Sequence, residues 1–274
     1  MRLDAATTKT VVDAALDAGI TYFDTAESYG DGRSEEFLGA AMVGRRESAL
    51  VATKWGHTGT LRDGDRGGDP AVIRRSLDAS LKRLGTDYVD PYQLPRPDPQ
   101  TPMDETLGAL GELVAEGKVR AIGCTAFAAV ELDEATAAAS RLGLQTYASV
   151  QNHFSLLTRT PERDRVLDVC ARDAIAFVPF FPLESGLLAG RYRAGEALPP
   201  DSRLANWGER SKAFIDDAKL QTVAGSDGWA VEREHTLLEL SMGWLTSNPF
   251  VATVIAGRHR PPRSQPTWLR PTGR

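Results

Sequence analysis

Three side chains near the start of the chain have the types and spacing for passing a proton to a carbonyl oxygen: Asp24, Tyr29 and Lys54. Lys54 directly follows the apolar run Leu50-Val51-Ala52, so its stem is expected to be buried. A buried ammonium is costly unless a carboxylate lies beside it. Asp24, at the end of the earlier run Thr21-Tyr22-Phe23, can supply that carboxylate. Tyr29 stands in a glycine-flanked loop just beyond Asp24 and can then lie against the lysine. A neighbouring cation favours phenolate and makes a phenol a better general acid for a developing alkoxide. Taken singly, each residue has a plainer reading: a loop tyrosine usually packs, and a strand-end lysine is usually solvated.

The elements that must position these residues alternate along the chain. Helix-like spacing at Thr7–Ala18 gives way to a strand ending at Asp24; Ser34 is placed to cap the next helix, and a strand ends at Lys54. Pro70 opens a helix to Leu84 before a strand from Tyr88 to Leu94. Then come helix Pro102–Glu116, strand Val119–Gly123, helix Val130–Leu142, strand Tyr147–Gln151, helix Pro161–Arg172, strand Ile175–Pro179, helix Glu232–Ser247 and strand Val251–Ile255. Seven strands alternating with seven helices predict an α/β fold, a (β/α)8 barrel one unit short. In such a barrel the ends holding Asp24, Lys54, Thr125 and Gln151 converge on one face. A doubly wound open sheet could use the same alternation, but Gly30-Asp31-Gly32-Arg33-Ser34-Glu35 lacks the third glycine of a dinucleotide fingerprint.

Composition narrows the function classes. The chain has 274 residues and a net charge of −5 with acids and bases interspersed, which argues against a nucleic-acid surface. No apolar run approaches a membrane span, and Met1–Lys9 has no signal-peptide core, so a cytoplasmic protein is expected. Cys124 and Cys170 lie in unrelated segments and read as two buried thiols. His57, His153, His235 and His259 lack metal-ligand spacing, and no metal is expected. Residues 1–257 read as one barrel-like domain; Arg258 to Arg274, with five arginines, four prolines and no acid, reads as an irregular tail.

The run Phe23-Asp24-Thr25-Ala26-Glu27-Ser28-Tyr29-Gly30-Asp31-Gly32-Arg33-Ser34-Glu35 closely resembles the signature of the aldo-keto reductase superfamily. The resemblance recurs at Ala52-Thr53-Lys54-Trp55-Gly56, Ile122-Gly123-Cys124-Thr125, Gln151-Asn152-His153-Phe154-Ser155 and Pro182-Leu183-Glu184-Ser185-Gly186-Leu187. It implies a barrel enzyme that reduces a small-molecule aldehyde or ketone with NADPH, Tyr29 being the proton donor and Lys54, paired with Asp24, its tuner. By the same resemblance Thr125 and Gln151 hold the nicotinamide, Phe181, Pro182, Leu183, Gly186 and Leu187 pass over the diphosphate, and Gly257 survives from the adenosine site.

Departures from that pattern carry expectations of their own. Where the family has histidine after the strand, in Asp-Leu-Tyr-Gln-Leu-His-Arg-Pro-Asp, this chain has Pro95, so the substrate carbonyl loses one hydrogen bond. Losing one such donor elsewhere costs about 10² to 10³ in rate. His57 and His153 both follow strand ends near the vacant position, but each reads more simply as a loop histidine. Pro91 should distort its strand. Ala126 stands where the family has a second nicotinamide-binding side chain, and the first barrel strand and the C-terminal helix are expected to be missing. A non-catalytic or weakly catalytic regulatory protein, like the family relatives attached to potassium channels, is the alternative reading.

Overall fold

The computed structural model describes residues 4–193 and 195–257, with the backbone alone at 210, 212 and 213. The tail at 258–274, with Arg258, Arg260 and His259, lies outside the described residues. Helix α1 (Ala5–Asp17) starts where the Asp4 side chain accepts from the Thr7 N–H, and it leads to strand β1 (Tyr22–Asp24). There follow α2 (Arg33–Ala41), β2 (Leu50–Lys54), α3 (Pro70–Leu84), β3 (Val89–Leu94), α4 (Met103–Ala115), β4 (Val119–Thr125), α5 (Ala129–Leu142) and β5 (Ser149–His153). After short α6 (Thr160–Arg163) and α7 (Val166–Asp173) comes β6 (Ala176–Phe180). A long excursion then leads through α8 (Arg203–Asn206) to α9 (Asp217–Val231) and α10 (Leu237–Ser247).

The six strands are parallel and lie in chain order, β1 to β6. Among the described residues no strand order reverses, so they form no switch point of the doubly wound kind, and successive crossovers curl the sheet in one direction. The result is an α/β fold whose sheet forms a curled half-barrel, consistent with an incomplete (β/α)8 barrel. β1 pairs with β2 and, among the described residues, with no strand on its other side.

The seventh strand is a correction to the sequence expectation. Val251 makes a single parallel bridge to Phe177, and the Ala252 and Ile255 N–H groups donate to Phe177 and Pro179. Pro179 has no N–H to return, so the ladder stops before it becomes a strand. Three helices also differ. Ser34 does not cap α2, whose N-cap is Gly32 in a left-handed conformation (φ 86°); the Ser34 hydroxyl instead accepts from Thr25. The helix expected over 161–172 is split by left-handed Arg165, and α9 was not anticipated.

Pro91 sits inside β3, paired with Ala121 of β4, while the β2–β3 register begins only at Thr53↔Tyr92. Below that point the Val51 N–H donates to the Asp90 carboxylate at 2.8 Å, so a side chain satisfies the backbone donor. The main core lies between the sheet and its helices, around fully buried Trp55, Tyr92, Leu107, Leu110 and Phe177. A second, smaller cluster, including Leu187, Leu188, Tyr192, Leu204 and Leu237, packs beneath the excursion after β6. No helix among the described residues is long and apolar enough to cross a membrane.

Candidate active site

The polar residues closing the strands meet at one end of the half-barrel. Asp24 pairs in register with Ala52, so Lys54, two residues on, projects from the same face one step higher. Its ammonium donates to Asp24 Oδ2 at 2.5 Å and to the Thr25 carbonyl at 3.0 Å. Both side chains are almost wholly buried, at 8% exposure each, so the charges are paired as well as desolvated. The ammonium also lies 5.3 Å from the centroid of the Tyr29 ring. Tyr29 itself is 48% exposed, which leaves its phenol open to an incoming molecule.

The loop carrying Tyr29 is fastened to β2 and to the turn beyond it. The Thr25 and Glu27 N–H groups donate to the Ala52 and Lys54 carbonyls, which extends the parallel pairing past the end of β1. The Glu27 carboxylate accepts from the Gly56 N–H at 2.9 Å and the Thr60 hydroxyl at 2.5 Å. Glu27 was not singled out from sequence, since its partners lie about thirty residues away. Tyr22, on the same face of β1 as Asp24, is no rival acid. Burial pushes its phenol well up, the Asp24 charge adds to this, and it stays protonated.

Around Asp24 the remaining donors converge. Gln151 donates to Asp24 Oδ1 at 2.7 Å, and Gln93 reaches the same oxygen at 3.4 Å. Thr125 ends β4 in register with Gln151, and its hydroxyl is buried without a partner. Asn152 Oδ1, Gln93 Oε1 and Ser185 Oγ are likewise buried and unpaired. An orphan hydroxyl beside a glutamine amide fits a ligand carrying a carboxamide, which can both donate and accept. Phe181 to Leu187 form the loop after β6. Pro182 is buried, Gly186 adopts φ 110°, and Leu187 is held by its side chain in the second core. Gly257, at the end of the described chain, is exposed with open space around it.

His57 and His153 have hydrogen-bond partners of their own outside these groups. The exposed His57 accepts from the Gly59 N–H in its own turn, and His153 Nε2 is engaged with Glu184 at 2.7 Å. Pro95 follows β3 immediately and is half-buried. Among the described residues no group of three or more His, Cys, Asp or Glu is arranged to hold a metal ion.

The model of the aldo/keto reductase family matches residues 1–267. The chain belongs to that family. Among its relatives is a probable voltage-gated potassium channel subunit beta of Arabidopsis thaliana, 35% identical over 94% of this chain and 80% of that protein. Aldo-keto reductase YhdN of Bacillus subtilis is 32% identical over 94% of this chain and 76% of its own length. Aldo-keto reductase yakc [NADP(+)] of Schizosaccharomyces pombe is 32% identical over 91% of this chain and 73% of its own. Members of this family thus carry both reductase and channel-subunit names, and the family supports an oxidoreductase.

Proposed function

We propose that the chain reduces an aldehyde or ketone to an alcohol with NADPH, Tyr29 delivering the proton. The observation that carries this reading is the Lys54 ammonium set between Asp24 Oδ2 and the face of Tyr29, at 2.5 Å and 5.3 Å. NADPH, when bound, supplies the hydride that the carbonyl carbon takes up. Thr125 and Gln151 hold its carboxamide, an assignment supported by the unpaired Thr125 hydroxyl. Phe181, Pro182, Leu183, Gly186 and Leu187 cover the diphosphate, Leu187 through its backbone, and Gly257 lies toward the adenosine end. The name of the yakc relative supports the choice of NADP over NAD.

In this mechanism Lys54 and Asp24 do not react. The fixed ammonium stabilises the phenolate left when Tyr29 gives its proton to the substrate oxygen, and Asp24 keeps the ammonium charged and in place. Pro95 offers the carbonyl no hydrogen bond, so turnover is slow for this chemistry. The substrate is a small carbonyl compound met in the cytoplasm, and the net charge of −5 supports a chain that engages no nucleic acid.

Pro95 also favours a second reading, a regulatory protein that binds the cofactor and turns over weakly, in keeping with the channel-subunit name of one relative. Titrating the protein with NADPH and then adding an aromatic aldehyde separates the two. Quenched cofactor fluorescence followed by aldehyde-dependent oxidation supports the enzyme, binding without oxidation supports the regulator, and no binding at millimolar cofactor removes both.

A further inference from the structure

The loop leaving β6 takes a backbone path that ordinary side chains resist. Phe181, Glu184 and Ser185 all have left-handed φ values, of 52°, 46° and 56°, and only Gly186, at 110°, adopts its conformation freely. Such a run persists only where the surroundings hold it. The Tyr192 hydroxyl donates to the Ser185 carbonyl at 3.1 Å, and a carboxylate of the loop itself is turned inward. Glu184 is 2% exposed, and its Oε1 accepts from the Ser155 hydroxyl at 2.5 Å and meets His153 Nε2 at 2.7 Å.

The direction of these bonds is set locally. Ser155 Oγ accepts from the Leu157 and Thr158 N–H groups, so its one proton points to Glu184. The His153 ring lies nearly parallel to Phe180 at 5.7 Å and edge-on to Phe181 at 5.5 Å. Burial pushes the Glu184 carboxyl up, but the hydrogen bonds from His153 and Ser155 outweigh it and hold it below the usual glutamate range. Arg203 lies 5.7 Å from the Phe181 ring, and the Arg191 side chain lies close to Gly186. Among the described residues no hydrogen bond of Asp24 or Lys54 involves the cluster, so the proton-transfer step does not use it.

We propose that His153, Ser155 and Glu184 form a clasp holding the 181–186 loop in the shape that receives the cofactor, which makes Glu184 a positioning residue for cofactor binding. The inference rests on the NADPH reading of the site. Its test is NADPH fluorescence titration with steady-state aldehyde reduction, for the parent, Glu184→Ala, His153→Glu, and the double variant His153→Glu with Glu184→His. Each single variant should raise Kd and the KM for NADPH about tenfold, with kcat at saturating NADPH within about twofold, and the swapped pair should recover most of the affinity.

A parent that binds NADPH and a folded Glu184→Ala that binds it equally well overturn the clasp alone; a parent that does not bind overturns the clasp together with the function it rests on. If Glu184→Ala fails to fold, Ser155→Ala, which removes one donor, is read the same way. A swapped pair no better than its singles also counts against the clasp.

Discussion

Gln151 donates to Asp24 Oδ1 at 2.7 Å, so the side chain assigned to the nicotinamide carboxamide is here bonded to the carboxylate that pairs with Lys54. A glutamine amide has two N–H donors and a carbonyl, so this bond leaves further capacity for the proposed carboxamide contact, and Gln93 reaches the same Asp24 oxygen at 3.4 Å. Replacing Gln151 by Leu removes the proposed hydrogen bond to the cofactor, for which a net worth of about 1 kcal/mol predicts about a fivefold loss of NADPH affinity. Fluorescence titration reads this directly, and an unaltered Kd takes Gln151 out of the contact.

Tyr29→Phe deletes the phenol proposed to donate the proton while keeping the ring over Lys54. Aldehyde reduction should fall by about 10² to 10⁴, with NADPH affinity preserved. A variant as active as the parent would end the assignment of Tyr29.

Pro95→His restores a donor directly after β3. Turnover of a generic aldehyde should rise, by up to about 10² if the imidazole reaches the carbonyl oxygen. Activity left at the parent's level speaks for the regulatory reading.

Glu184 sets a pH dependence of stability. Its folded carboxyl titrates below the unfolded value of about 4.3, so its contribution is complete above that pH and disappears as pH falls through the folded value. The Tm of the parent should exceed that of Glu184→Gln above about pH 5, with the gap closing below about pH 4. A gap that stays constant through this range contradicts the buried anion.

Cys124 and Cys170 are both buried, and burial pushes the Cys170 thiol up to about 12 and the Cys124 thiol well up. Neither should react with an aromatic disulfide reagent in the native protein, and both should react on unfolding. Rapid labelling of either in the native state refutes this packing.

Much of this was legible along the chain because strands and strand-end polar residues are local signals. Asp24, Lys54 and Thr125 each close an apolar run, and the structure gathers them with Gln151 as parallel topology requires. What stayed hidden depends on distant partners or on missing periodicity. α9 buries only Leu220, Val223 and Ala230 and carries Gly225 and Gly228, so no apolar stripe marks it. The split between α6 and α7 depends on the left-handed Arg165, and arginine is no turn signal. The His153–Glu184 pair joins β5 to a loop beyond β6, and spacing cannot reveal it. The loss of the seventh strand is traceable to Pro179 only once its neighbour is known.

The central claim is that Tyr29, Lys54 and Asp24 serve hydride transfer to a carbonyl, and it is tested most directly by following the hydrogen. With NADPH deuterated on the nicotinamide ring and an aromatic aldehyde, the alcohol formed by the parent or by Pro95→His should carry deuterium on its carbinol carbon, and Tyr29→Phe should form almost none. Alcohol without deuterium from either ring-labelled isomer, or no alcohol from the parent and Pro95→His alike, would contradict the account.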